Sequence, residues 1–202
     1  MGPLVESEAG NKYILVLCDY FTKWTEAYAL PDQVSLTVAD AIVTNFILRF
    51  GVPMQLHSDQ GANFQSNLFS DLCKLLGICK TRTSSYRPQS DGLVERFNRS
   101  LGDMLAKLVN ENKTNWDEIL PYVLAAYRAT PHQSTGISPN LMMLGREADL
   151  PVDLMFGSQV PDQVTCHSEY VEWVRDALQS SYDTARNVLR RAAQRQARHY
   201  NK

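Results

Sequence analysis

Residues 54–84 read MQLHSDQGANFQSNLFSDLCKLLGICKTRTS, and their order decides the fold. MQLHS, at 54–58, is a short strand that ends at Asp59. QGAN is a turn made of residues that tolerate tight backbone geometry. Ser66 caps a helix with Leu68, Phe69, Leu72, Leu75 and Leu76 on one face, and Gly77 closes it. ICKTRTS, at 78–84, is a second strand.

Upstream, YILVLCDYF at 13–21 is apolar on both alternating faces, as an interior strand is. TKWTEAYAL at 22–30 alternates more openly and reads as its antiparallel partner. Ser35 caps a helix running to about Phe50, with Val38, Ile42, Val43, Phe46 and Ile47 at helical spacing. Gly51 and Pro53 stop it. The order of strands, helix, strand, helix, strand indicates a mixed α/β sheet flanked by helices.

Downstream, SYRPQSDG is a polar loop. The helix after it carries Val94, Phe97, Leu101, Met104 and Leu108 at three-and-four spacing. Asn115 caps a helix to about Thr130, with Pro121 at its start or kinking it. Ser138-Pro139 opens a short helix. Residues 146–163 have no clear period and read as a linker. From about Thr165 a long helix presents a narrow stripe: Val171, Val174, Leu178, Tyr182, Ala185, Leu189 and Ala192. Its acidic residues lie early and its arginines late. A core at 1–145, a linker at 146–163 and a helical extension at 164–202 follow.

The 202 residues are 44% hydrophobic and 21% charged. That balance excludes a disordered tail, a collagen-like chain and a disulfide scaffold. The apolar stretch Tyr13–Cys18 is too short to span a bilayer. MGPLVESE lacks the basic-then-apolar pattern of a secretory signal, so a nuclear or cytoplasmic site is expected and no membrane contact. Cys18, Cys73, Cys79 and Cys166 make no C-x-x-C pair and fit no zinc spacing. Lys and Arg number 20 against 22 Asp and Glu, a net charge of −2. Without a basic surplus, any nucleic-acid contact needs a local patch or segments outside these residues.

Asp59 ends a strand and Glu95 opens a helix, with 35 residues between them. Carboxylates at such positions suit hard divalent cations. They equally suit a turn cap and a solvated helix face. Asn63 could orient a substrate or stabilise its own turn. Arg87, Arg96 and Arg99 could hold phosphates or be solvated charges. His57 reads as a strand-packing residue. Asp19 reads as a turn carboxylate that accepts a backbone N–H. Trp24, Trp116 and Trp173 read as core or interface residues.

HSDQGANF at 57–64 and YRPQSDGLVERFNRSL at 86–101 resemble the catalytic core of gypsy-type LTR-retrotransposon integrases. So do YILVLCDYFTKWTEAYAL at 13–30 and TGISPNLMMLGREADLPVD at 135–153. The resemblance runs in order over almost the whole chain. It implies a ribonuclease H-like fold and a DDE polynucleotidyl transferase that uses Mg²⁺ or Mn²⁺ to join element ends to target DNA. By motif position Asp59 is similar to the second acid of the triad and Glu95 to the third, both catalytic and metal-binding. Asn63, Arg87, Gln89, Ser90, Arg96 and Arg99 fall where DNA contacts are implied, with Gln89, Ser90 and Gly92 in a loop that covers the DNA end. The implied partners are element and target DNA and a further copy of the chain, with no small-molecule substrate.

The first acid of the family sits in a stretch like Asp-x-x-Gly-Pro-Leu. Here Gly2-Pro3-Leu4 follows Met1, so that Asp is expected just upstream of residue 1 and the first strand is expected to be truncated. The chain as given is then expected to be inactive. The alternative is a non-catalytic module, derived from an integrase, that binds nucleic acid or protein. A plain ribonuclease H-type nuclease fits LVERFNRSL and TGISPN less well. The resemblance also implies a His/His/Cys/Cys zinc domain before the core and a small β-barrel or chromodomain-like segment after it. Neither lies within these residues.

Overall fold

The computed structural model describes residues 1–83, 92–148 and 167–200. They form two compact units, one of Met1–Cys18 with Glu26–Val123 and one of Asp19–Thr25 with Leu124–Lys202.

In the first unit, β1 (Tyr13–Cys18) pairs with β2 (Thr25–Leu30). Lys12 N donates to Leu30 O at one end, and Asp19 N to Trp24 O at the other, an antiparallel pattern. Both strands are shorter than the sequence suggests. Residues 19–24 are consumed by the turn, because Asp19 spends its carboxylate there rather than extending the ladder. Helix α1 runs as α over Ser35–Ala41, as a π-helix over Ile42–Ile47 and as α again over Leu48–Phe50. Its N-cap is Val34, not Ser35, with no side-chain cap; Asp32 Oδ1 instead accepts the Val34 N–H at 2.9 Å. Gly51, at φ 85°, ends it as the sequence suggests.

β3 (Gln55–Ser58) and β4 (Cys79–Arg82) are parallel, in register from Gln55 opposite Cys79 to Ser58 opposite Arg82. Between them lie a single turn, α2 (Ala62–Gln65), and α3 (Asn67–Leu75). Ser66 caps α3 by accepting the Phe69 N–H at 3.2 Å. Leu15, Leu30, Val38, Ile42, Ile47, Phe69, Cys73 and Ile78 make one core, against which Leu56 of β3 also packs. Burial pushes the Cys73 thiol pKa up.

Helix α4 (Gly92–Leu108) buries Phe97, Leu101 and Leu105 and packs on β1. The stripe turns at its end: Leu105 is inside and Leu108 is 57% exposed. Helix α5 (Trp116–Ala129) holds Pro121 in its interior. Asn115 stands just before it, its carbonyl accepting the Ile119 N–H and its Oδ1 the Asn110 N–H at 2.9 Å.

Residues 1–8 form a strap fastened at several points. Met1 and Ile14 pair backbone to backbone, and Leu4 N donates to Lys12 O. Trp116 Nε1 donates to Val5 O at 2.8 Å. Asp117 Oδ2 accepts Ser7 Oγ at 2.5 Å and Asn11 Nδ2 at 2.8 Å.

In the second unit, Asp19 Oδ1 accepts Thr22 N at 2.7 Å and Thr22 Oγ1 at 2.6 Å. The Arg128 guanidinium lies 4.5 Å from the Trp24 ring, and its Nε donates to Thr25 O. Helix α6 (Pro139–Leu144) is capped by Ser138, whose Oγ also donates to Glu147 Oε1 at 2.5 Å. Helix α7 (His167–Tyr200) packs on α6. Its buried seam runs through Val174, Leu178, Ser181, Ala185 and Val188, spaced alternately by four and three. It shares Val174, Leu178 and Ala185 with the narrow stripe read from sequence and adds Ser181 and Val188, while Val171 is 53% exposed.

Candidate metal centre

The parallel β3–β4 pair delivers Asp59 to its carboxyl end, where the ladder finishes with Thr83 N donating to Ser58 O. Crevices beyond the carboxyl ends of parallel strands are the usual place for ligands in α/β sheets. Asp59 is exposed, and its Oδ1 accepts the Gly61 N–H at 2.9 Å. That bond is an Asx-turn, and it aims the carboxylate. Gln60 Nε2 donates to Thr83 O, tying the turn to the strand below.

A Cβ on Gly61 would stand 2.7 Å from Asn63 Oδ1 and 3.0 Å from Asp59 Oδ1, so both side-chain oxygens approach the point above Gly61 and one would have to shift to admit a side chain. Sequence reasoning named Asp59 and Asn63 but missed Gly61. The legible signal was the Asp-x-Gly spacing of an Asx-turn.

The Met1 amino group is the second neighbour of Asp59. Burial lowers its pKa, and attraction to the Asp59 carboxylate opposes that shift. The backbone at residue 1 is thus anchored on β1 and close enough to Asp59 for the two charges to interact.

Glu95 lies in the first turn of α4 and is exposed, two residues before the buried Phe97. Arg96 and Arg99 are exposed on the same helix. Arg87, Gln89 and Ser90 lie outside the described residues, as does most of the 146–163 linker. His57 is exposed rather than packed inside; its Nδ1 pairs with Thr81 Oγ1 at 2.9 Å across the two parallel strands. Asp19 is taken up by Thr22 in its own turn.

The donors at the Asp59 turn are a carboxylate and a carboxamide oxygen, the hard ligands that Mg²⁺ and Mn²⁺ prefer. The cradle over Gly61 is the kind of space such a group fits. Among the described residues no group of three His, Cys, Asp or Glu side chains stands together to hold a metal. Among them, too, no helix is long and apolar enough to cross a membrane.

The family model described as "Integrase core domain" matches residues 3–88. The Gag-Pol polyprotein of avian reticuloendotheliosis virus is 35% identical over 158 residues, covering 78% of this chain and 13% of that protein. The retrovirus-related Pol polyprotein from transposon 412 of Drosophila melanogaster is 27% identical over 201 residues, 100% of this chain and 16% of that protein. The chain thus spans a small fraction of these relatives. Among solved structures, the catalytic core domain of BIV integrase is 33% identical, with a TM-score of 0.51 over 62% of this chain and 81% of that one. The HTLV-2 integrase catalytic core domain, in a trimeric form with magnesium, has a TM-score of 0.52 at 21% identity, over 62% of this chain and 80% of that one, and shares the fold. The mixed α/β fold is therefore the ribonuclease H-like fold of integrase cores. With retroviral and transposon Pol proteins as its homologues, the chain belongs to the integrase core domain family.

Proposed function

We propose that the chain is the catalytic-core portion of a gypsy-type LTR-retrotransposon integrase, a DDE polynucleotidyl transferase acting in the nucleus or cytoplasm. Its substrates are the DNA ends of the element and a target DNA, and it works with further copies of itself. Asp59 and Glu95 are two of three acids for Mg²⁺ or Mn²⁺. When bound, such ions supply charge neutralisation at the phosphate and activation of the attacking 3′ oxygen.

The protein's part is positioning. Gly61 N–H holds Asp59 Oδ1 and leaves the other carboxylate oxygen for the cation. Phe97 and Leu101 fix the helix that carries Glu95. Arg87, Gln89, Ser90, Arg96 and Arg99 hold the DNA, and the arginines do so through phosphates.

The first acid is supplied by chain preceding residue 1 in a longer protein. The observation that carries this is the placement of Met1, paired on β1 and within electrostatic reach of Asp59. Among the described residues the strands form two pairs, β1–β2 and β3–β4. Asn98, one turn beyond Glu95, has a buried Oδ1 with no hydrogen-bond partner among the described residues. On the same face as Asn98, a Cβ at Gly102 would stand 3.7 Å from Met1 Cε.

Paramagnetic broadening by Mn²⁺ in an amide spectrum of the chain tests the metal reading. Broadening of Gly61 and of residues around Glu95, with the 19–24 turn untouched, is the expected result. Broadening confined to the turn or to α7 would overturn it.

A further inference from the structure

Asn63 has two possible duties at the site, and its geometry favours one. Its Oδ1 approaches the point above Gly61 that Asp59 Oδ1 also approaches. Two acceptor oxygens facing one small space repel unless something positive or proton-bearing stands between them. Asp59 Oδ1 has the Gly61 N–H for this. Asn63 Oδ1 shares the space without a hydrogen bond of its own among the described residues. The placement is not accidental slack. Asn63 lies on the single turn α2, and that turn is tethered because Ser66 Oγ donates to the Asn63 carbonyl at 2.8 Å.

We infer that the Asn63 carboxamide oxygen is a positioning group for the divalent cation held at Asp59, accepting a hydrogen bond from water on that ion. Mg²⁺ and Mn²⁺ keep several waters when only one or two carboxylates bind them, and those waters need acceptors. A carboxamide beside the carboxylate provides one and adds no charge. The inference rests on the proposed metal-binding role of Asp59. It moves Asn63 from the set of DNA contacts to the cation, and a Cβ on Gly61 would enter the space that both oxygens approach.

Mn²⁺ affinity of the 202-residue chain, titrated by water-proton relaxation, tests it with three variants and no DNA. Asp59→Asn should abolish the site. Asn63→Ala should weaken Mn²⁺ by on the order of tenfold, the low end for partners of ion-bound groups. Asn63→Asp, which keeps the oxygen and adds charge, should bind at least as tightly as the parent. Thermal melts of the variants report folding, and Asn63→Asp carries the test if Asn63→Ala melts early. If Asp59→Asn abolishes binding while Asn63→Ala leaves it unchanged, the inference on Asn63 fails and the metal site stands. If Asn63→Asp weakens binding as much as Asn63→Ala, Asn63 serves packing and the inference also fails. If Asp59→Asn changes nothing, the metal reading itself is wrong.

Discussion

Met1 and Ile14 exchange both backbone hydrogen bonds, Met1 N to Ile14 O and Ile14 N to Met1 O, each 2.9 Å long. That is the closely bonded pair of an antiparallel ladder. It makes the first residue part of the sheet and sets the direction from which any preceding residues arrive. Leu4 N to Lys12 O and Ser7 N to Asn11 O fasten the strap further along, with the pairing slipping by a residue or more between successive contacts.

The Ser7–Asn11–Asp117 network anchors that strap. Burial pushes the Asp117 carboxyl up, but hydrogen bonds from Ser7, Asn11 and the backbone N–H groups of Asp117 and Glu118 outweigh it, and the net shift is downward. A depressed carboxyl contributes stability above its unfolded value and loses it as pH falls through the folded one. Ser7→Ala removes one of the lowering bonds. The Asp117 carboxyl carbon, followed by NMR against pH, should titrate higher in Ser7→Ala than in the parent. An unchanged midpoint would mean that the Ser7 bond does not form in solution.

Asp19→Ala should destabilise the chain and spare the metal. It strips both acceptor contacts to Thr22 from the turn. Loss of a capping carboxylate of this kind costs about 0.5–2 kcal/mol. Urea melts should record that loss, while Mn²⁺ affinity stays within error of the parent. A fall in affinity without a fall in stability would make Asp19 a ligand.

Gly145→Ala is expected to cost more. Gly145 ends α6 at φ 72°, and a Cβ there would meet Val174 Cγ1 at 2.9 Å, Leu178 Cγ at 3.0 Å and the Val174 carbonyl at 3.1 Å. Left-handed backbone and overpacking together give roughly 2–4 kcal/mol. Val174→Ala should recover only part of this, because the backbone carbonyl remains. Full stability of Gly145→Ala in a urea melt would show that α6 and α7 do not pack this closely.

Leu101→Ala tests the link from core to site. Leu101 is fully buried on the helix that carries Glu95. The substitution should cost about 2–5 kcal/mol. Amide exchange should then quicken at Phe97 and along the start of α4 more than in β3. Equal quickening in both would mean that Glu95 and Asp59 are held by one cooperative unit with no local weakness.

Much of this was legible because local chemistry and packing agree. Ser66 and Ser138 cap as their spacing implies, and Gly51, Gly77 and Gly145 close helices at positive φ. Phe69 and Phe97 are inside, as their helical period requires. The failures have physical causes. Ser35 gave way to Val34 because Asp32, an unhelical residue two positions earlier, satisfies the first N–H. The 13–21 strand stops at Cys18 because Asp19 bonds its own turn, a side-chain competition that apolar periodicity does not register. The π-helical turns at Ile42–Ile47 leave no mark in a pattern read at 3.6 residues per turn. Asp59 and Glu95 are assigned from motif position alone. The crowding over Gly61 and the pairing of Met1 with Ile14 join atoms across turns and strands, and spacing in one dimension does not carry them.

Strand transfer is the most direct measurement. The chain, and a version extended upstream by a few residues with an Asp before Gly2 in the Asp-x-x-Gly-Pro-Leu spacing, are each incubated with Mn²⁺, an oligonucleotide mimicking an element end and a target duplex. The extended chain should join the end to the target, and the original should give no product above background. Asp59→Asn and Glu95→Gln in the extended chain should each lose at least about a hundredfold in rate, the scale of removing one group that stabilises transition-state charge. Activity in the original chain that Asp19→Asn abolishes would make Asp19 the first acid and contradict the assignment. So would an extended chain whose activity survives Glu95→Gln.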